Sequence, residues 1–524
     1  MIWHFIDRNY ELTLLFASSF ALKALLFPSY VSTDFEVHRN WLSIVYNLPP
    51  SEWYHERTSE WTMDYPPFFA WFEYCLAQIA ALFLECDALR ISSTPIQSNS
   101  LLHFQRFSVI SCDFVLIYSI HGFSTASVQA FRTKILDCLL LLDAGLLMVD
   151  HVHFQYNTLL LALIILSLGQ IRAEQDLRAA LLYTIVIMMK HTFLYVAPLY
   201  LVYLFRHYCF ESPSSHTVKS SRSHFSFRNF SKLGAVAILV VAVGFSSILY
   251  AHPSPLKGFE AIVVRLFPMQ RGLCHAYWAP NVWALYAFLD KLLSLFGREK
   301  ISHFEAASMT GGLVGHAKFN ILPNISAGFC GLCTILAMTP ALIKTWRHAQ
   351  PRIFLSAFAY CMLCAFLFGY HVHEKAILQV IVPLALMSVD GAEEMRLYRI
   401  ASIVANISLL PLLFTPAENV TKVLLTLFHA LVCFYASYTV GDAKLRWWEK
   451  LYLSALVTVT VVAACFPFVP KLGTRYPFAP LMLMSVSCAV GSLYVCASLY
   501  RLVDLRFEKG KCSSKCYLKN SQKP

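Results

Sequence analysis

The sequence predicts an all-α, polytopic membrane protein, and three observations lead there. Hydrophobic residues make up 57% of the 524-residue chain. Charged residues make up 14%, whereas soluble domains carry about 25%. The apolar residues also fall into runs close to the roughly 17–25 residues that a helix needs to cross a bilayer. No polar block is long enough for a separate soluble domain, so residues 1–524 read as a single transmembrane domain.

The first run, Leu12–Pro28, follows "MIWHFIDRNY", which has neither a basic leader region nor a small-residue cleavage site, and reads as a retained helix. Further runs are Pro67–Leu84, Phe107–Phe123, Tyr156–Ile171, Leu233–Tyr250 and Asn281–Leu295. Ile321–Lys344, Ile353–Phe368, Ala376–Ser388, Ile400–Phe414, Val423–Val440, Leu451–Pro470 and Phe478–Leu499 complete the series. With the short run "ILDCLLLLDAGLLMVD", and with Ala179–Phe205 read as two short helices meeting near Lys190–His191, the length rule predicts about 12–14 spans.

The net charge of +11 is concentrated in a few segments: 206–232, Lys344–Arg352, Lys444–Lys450 and the tail 501–524. That is the positive-inside pattern, so these segments are expected in the cytosol. The loop 31–66 then lies on the opposite, luminal side, with the loops near Arg271 and His373. No aromatic–basic nucleic-acid module is present, so nucleic acid is not an expected partner. Most of the 16 cysteines sit in apolar runs, and the pairs Cys330–Cys333 and Cys361–Cys364 read as helix packing rather than redox or zinc sites.

Four polar clusters interrupt this apolar background. "STDFEVHRNW" packs Asp34, Glu36, His38 and Arg39 directly after the first run. A second stretch, "SEWTMDYPPFFAWFEY", places Asp64 just before a proline-initiated helix. There it is either a cap favoured by the helix dipole or a carboxylate fixed over a bilayer cavity. "DHVHFQYN" sets His151, His153 and Gln155 between apolar runs, as a polar rim for a sugar or phosphate or as a structural hydrogen-bond network. Two histidines two residues apart face different ways on a helix, which argues against a metal. In "FGYHVHEKAILQ", His373 and Lys375 suit an anionic group such as a phosphate, and the order is not the H-E-x-x-H of zinc proteases. Finally, "RLFPMQRGLCHAYWAPNVWALY" offers Arg265 and Arg271, which suit planar bidentate phosphate contacts, and Trp278, a sugar-stacking platform or interface anchor. Carboxylates and cations on one membrane face also suit an ion-coupled transporter or a lipid scramblase, but the two halves of the chain lack corresponding broken segments.

These motifs resemble the endoplasmic-reticulum glucosyltransferases of the asparagine-linked glycosylation pathway. The likeness runs from about Thr33 to near the C-terminus. "RGLCHAYWAPNVWALY" and "TDFEVHRNW" are more similar to members that add the second α-1,3-glucose than to sister enzymes that add the first. The resemblance implies a C-type glycosyltransferase (GT-C) fold with a luminal active site in the endoplasmic-reticulum membrane. It implies dolichyl phosphate β-D-glucose as donor and a dolichyl-diphosphate oligosaccharide already bearing one glucose as acceptor, with membrane lipid around both. Bare Man9 oligosaccharide would be the sister enzyme's acceptor. Forming an α bond from a β donor inverts the anomeric centre, which needs one base and no covalent intermediate. On this reading Asp34 is the general base, with Asp64 and Glu36 assisting. His373, Lys375, Arg271 and Arg265 meet the donor phosphate. Arg39, His151, His153, Gln155, Lys190, His275 and Trp278 form the substrate-binding set. No metal and no cofactor is expected, since the lipid donor is itself a substrate.

Overall fold

The computed structural model describes residues 10–124, 130–211, 224–250, 252–267, 272–275, 278–296, 319–441, 443–469 and 472–520. Among them the only strands are the short antiparallel pair Phe210–Glu211 and His224–Phe225. Everything else regular is helical, and the chain divides into two compact units, Met1–Pro268 and Met269–Pro524.

In the first unit, Asn99–Ser124 packs along Asn157–Arg172, which packs in turn on Asp176–Met189. Gly169 permits the first of these contacts, because a Cβ there would meet the Phe123 backbone at 3.2 Å. The segment 31–66 is not simply a loop. Thr33–Asn47 is a helix, started by Ser32, whose Oγ accepts a hydrogen bond from the Phe35 N–H at 3.2 Å. Asp34 and Glu36 stand in its first turn, where the helix dipole favours negative charge. Residues Leu147–Phe154 form a π-helix that ends at Phe154, whose φ of 85° turns the chain into the next helix. The break foreseen near Lys190 is a 3-10 segment, His191–Val196, between Asp176–Met189 and Ala197–Tyr208.

In the second unit, Pro351–Phe368, Leu378–Ser388 and Ala392–Leu409 form the buried centre. Glu418–Val440 and Trp447–Cys465 lie outside it and expose Leu427, Leu431, Phe434, Val457 and Val461, as helices facing hydrocarbon do.

Seven described helices are long and apolar enough to cross a membrane, which makes this a multi-pass membrane protein. The number falls below 12–14 because several apolar runs fold as shorter helices. Tyr10–Leu25 has 16 residues, Pro67–Ala80 has 14 and Leu378–Ser388 has 11.

Two of the first unit's apolar helices are joined by charge. Lys23 Nζ lies 2.5 Å from Asp113 Oδ2, with side chains 3% and 0% exposed. Removing one member strands the other without a partner, which typically costs about 3–5 kcal/mol, whereas replacing both by apolar residues is often neutral. Lys23→Met and Asp113→Leu should therefore each lower the thermal midpoint of the purified protein strongly, and the double variant should recover most of the loss. Additive losses in the double variant would show that the pair does not hold these helices together.

Candidate active site

The first unit gathers one carboxylate into a polar network. Ser32 Oγ donates to the His153 carbonyl oxygen, locking the start of Thr33–Asn47 to the end of the π-helix. In the first turn, Asp34 Oδ2 accepts from Gln155 Nε2 at 2.5 Å and lies 3.4 Å from His153 Nε2. The other imidazole nitrogen, Nδ1, meets the Tyr30 hydroxyl at 2.6 Å. Gln155 Oε1 accepts from Asn157 Nδ2 at 2.7 Å, and Asn157 Oδ1 accepts from Lys190 Nζ at 3.1 Å. Asp34 keeps 23% of its side chain exposed. It is thus oriented by neighbours yet open to an incoming hydroxyl, the combination a general base requires. Asp34, Asp64, Asp150 and Glu73 all act on Tyr65: burial first, then these four charges, raises its phenol well above the ordinary range.

Glu36, two residues from Asp34, does something else. Its Oε1 accepts from Arg39 Nε at 2.8 Å, and Arg39 Nη1 reaches Ser43 Oγ at 3.0 Å and the Arg90 carbonyl at 2.8 Å. Arg39 is fully buried, so this pair ties the helix to the segment 90–96. Burial raises the Glu36 carboxyl above its usual range, against the pull of Arg39. Asp64 is half-buried and makes no cap: Pro66 occupies the N-cap of Pro67–Ala80 and supplies no side-chain bond. Arg265 holds the same segment, donating to Thr62 Oγ1 at 2.9 Å and to the Tyr54 carbonyl at 3.3 Å. His151 is buried inside the π-helix, and its carbonyl accepts from Arg106.

The second unit brings the two remaining motifs together. The Trp278 and His373 backbones form an antiparallel bridge, and the His275 ring stacks on His373 at 3.7 Å between centroids. His371, at a φ of 51°, donates its backbone N–H to the Leu273 carbonyl at 3.0 Å, and its Nδ1 lies 2.6 Å from the Gly272 carbonyl. Trp283 Nε1 closes the assembly on the Gly369 carbonyl at 2.9 Å. Beneath the rings, Glu374 is buried, with Oε2 3.5 Å from His275 Nδ1. Burial alone would raise its carboxyl, but His275 and Lys375 outweigh that and hold it below the usual range. Two imidazoles, His373 and His275, and the Lys375 ammonium therefore gather around one buried carboxylate. Arg271 lies outside the described residues.

A sequence model described as the ALG6, ALG8 glycosyltransferase family matches residues 19–499. This chain belongs to that family. Among curated relatives, a mouse (Mus musculus) protein named dolichyl pyrophosphate Glc1Man9GlcNAc2 alpha-1,3-glucosyltransferase is 43% identical over 92% of this glycosyltransferase and 93% of its own length. Proteins of the same name from Bos taurus and Arabidopsis thaliana are 41% and 39% identical, each over 91% of this chain and over 93% and 95% of their own. Among solved structures, an oligosaccharyltransferase from Archaeoglobus fulgidus superposes with a TM-score of 0.37 at 12% identity, covering 91% of this chain and 59% of that one. That likeness is too loose to carry an argument.

Glu73 and Arg106 of this glycosyltransferase escaped the sequence reading, and Asn157 entered it only as the last residue of "DHVHFQYN". Glu73 lies 2.6 Å from His38 Nδ1, both buried among Trp41, Phe69, Phe154 and Tyr156. Arg106 gathers carbonyls from two breaks in the chain. Asn157 bridges Gln155, Asp150 and Lys190. An acidic or basic residue inside an otherwise apolar run was the available signal for the first two.

The division of labour between Asp34 and Glu36 has a direct test. Glu36→Gln keeps shape but loses the ionic bond to Arg39, and should cost about 1–3 kcal/mol of stability. A lowered denaturation midpoint with transfer kinetics within a few-fold of wild type is the expected result. A stable variant that is slow would place Glu36 in the chemistry.

Proposed function

We propose that this glycosyltransferase transfers glucose from dolichyl phosphate β-D-glucose to the monoglucosylated Glc1Man9GlcNAc2 oligosaccharide on dolichyl diphosphate, forming an α-1,3 bond with inversion. The observation that carries the choice of acceptor is the 39–43% identity, over nine-tenths of the chain, to relatives named for that acceptor. The setting proposed is a GT-C fold in the endoplasmic-reticulum membrane, with the segment 31–66 luminal and the basic tail 501–524 cytosolic. A transfer assay with each defined acceptor is the test. Glucose transfer to Glc1Man9GlcNAc2 and not to bare Man9GlcNAc2 is expected, and the reverse preference would make the chain a first-glucose enzyme.

In the proposed chemistry, Asp34 accepts the proton of the acceptor's 3-hydroxyl as its oxygen attacks the anomeric carbon. Gln155 and His153 hold the carboxylate in place, and the dolichyl phosphate leaves with the electron pair of the broken C–O bond. The acyclic phosphate carries the developing charge, and His373 and Lys375 are proposed to meet it with charge-assisted hydrogen bonds. His151, Arg39 and Glu36 support the fold around the base rather than the sugar. The activated leaving group comes with the donor lipid, so the reaction is proposed to use no bound metal or cofactor.

Two sets of variants check these roles. Asp34→Asn is nearly isosteric and keeps an acceptor for Gln155, so it should insert and fold normally but lose transfer rate by about 10²-fold or more. Asp34→Glu moves the charge by about a methylene and should also be poor. Near-normal rate in Asp34→Asn with loss in Asp64→Asn would pass the role to Asp64. His373→Ala and Lys375→Ala should weaken donor use more than acceptor affinity, read from separate KM and kcat titrations of each substrate. Unchanged donor kinetics in both would remove this patch from the phosphate.

A further inference from the structure

We propose a second lipid site, distinct from the glucosyl-transfer chemistry: a pocket in the second unit that binds the headgroup of an anionic phospholipid. A cavity of about 240 Å³ opens between the helices Ala392–Leu409 and Glu418–Val440 and the start of Trp447–Cys465. Three of its lining residues are cations: Arg399, Lys444 and Lys450.

Arg399 is half-buried and already aimed. Its Nη1 donates to Ser437 Oγ and to the Ala443 carbonyl, each at 3.0 Å. Both bonds leave from one nitrogen, so the Nη2 and Nε edge of the planar guanidinium is presented to a ligand, and that edge suits a phosphate. Lys444 and Lys450 are exposed at the rim. The described acids close by are committed elsewhere. Glu449 is buried and accepts from Arg396 and Tyr494, while Glu393 pairs with Arg396 at 2.6 Å and faces Arg446 at 3.8 Å.

The surroundings choose a lipid over a free anion. Trp447 and Trp448, which lie in the chain between the lining residues Leu445 and Lys450, are exposed, as aromatic residues at a membrane–water boundary are. Leu427, Leu431, Phe434 and Tyr438, spaced four, three and four residues apart, form one stripe of Glu418–Val440 and are 57%, 67%, 65% and 81% exposed. Phe434 and Tyr438 also line the cavity. A ligand with a phosphate among the three cations thus meets an uncovered apolar track leading away from them. Basic pockets between membrane helices take up anionic headgroups in this way.

The test uses the full-length protein in detergent, with phosphatidylinositol, phosphatidylcholine or inorganic phosphate added. Phosphatidylinositol should raise the thermal midpoint and remain bound in native mass spectrometry, whereas phosphatidylcholine and inorganic phosphate should do neither. Lys444→Gln with Lys450→Gln, two exposed positions whose loss leaves the fold intact, should weaken phosphatidylinositol binding by roughly tenfold or more. Arg399→Lys, which keeps the charge but not the fork, should weaken it as well. Equal stabilisation by phosphatidylcholine, or an undiminished response in the double-lysine variant, would overturn the proposal. An equal response to inorganic phosphate would make this a small-anion pocket instead. Glucosyl transfer by the double-lysine variant in detergent should match wild type, so failure here leaves the reading of Asp34 untouched.

Discussion

The first unit depends on how one buried guanidinium is satisfied. Arg106 is 2% exposed on the long helix Asn99–Ser124. Its Nη1 donates to the carbonyls of His151 and Val152, and its Nη2 to that of Tyr30 at 3.0 Å. Those carbonyls belong to two places where helices stop, after Tyr10–Leu25 and inside the π-helix. Helix ends leave orphan carbonyls, and an orphan away from water is costly. A single side chain with five donors answers both ends at once. It thereby brings Tyr30 and Ser32 against His153, and so sets Asp34 beside Gln155. Arg106 thus helps to place the candidate base through the backbone segments it gathers.

The charges near the base divide by helix face. Asp34 and Glu36 are separated by two residues, about 200° of helical turn at 3.6 residues per turn. One looks to the network of His153 and Gln155, the other to buried Arg39. Two carboxylates on one short helix thus have different surroundings, one half-open in a polar network and one buried against a guanidinium. His38, four residues after Asp34 and so on the same face of the helix, pairs with Glu73 and joins Thr33–Asn47 to Pro67–Ala80 inside an aromatic shell. A surface ion pair would contribute little to this, but buried pairs fix geometry because a misplaced charge has no solvent to turn to.

The sequence showed the all-helical membrane class, the polar clusters and the broken helix at Lys190, because each is written in consecutive residues. It also showed that Asp34 and "HVHEK" were worth attention. What it did not show were partnerships over long separations: Lys23 with Asp113, Arg106 with His151, and His275 stacked on His373. Composition and periodicity report which face of a helix is apolar, not which neighbour it meets. An apolar run also records burial against protein as readily as exposure to lipid, so its length alone does not name its surroundings. Pro351–Phe368 is the example, apolar all round because protein covers it on nearly every side. Asp64 was open to two readings, a helix cap or a carboxylate fixed over a cavity, and the N-cap position of Pro67–Ala80 is taken by Pro66.

Backbone strain offers an independent pointer to the same two motifs. Among the described non-glycine residues, Phe154, Glu174 and His371 have positive φ. Glu174 follows the last turn of Asn157–Arg172, where a left-handed residue is an ordinary way to end a helix. The other two have no such excuse. Phe154, at 85°, separates His153 from Gln155, the two residues that hold Asp34. The turn at Phe154 changes the direction of the chain between these two side chains, and both reach the carboxylate across it. His371, at 51°, begins the turn that swings His373 beneath His275. Such conformations cost about 1–3 kcal/mol each and persist only where neighbours over-determine them. Arg106 and the Phe154 ring contacts with Phe35, His38 and Tyr156 do so in one case. The carbonyls of Gly272 and Leu273 do so in the other. Filling a bilayer requires neither distortion, and what the two turns achieve is to orient the Asp34 carboxylate on one motif and the stacked His275 and His373 rings on the other.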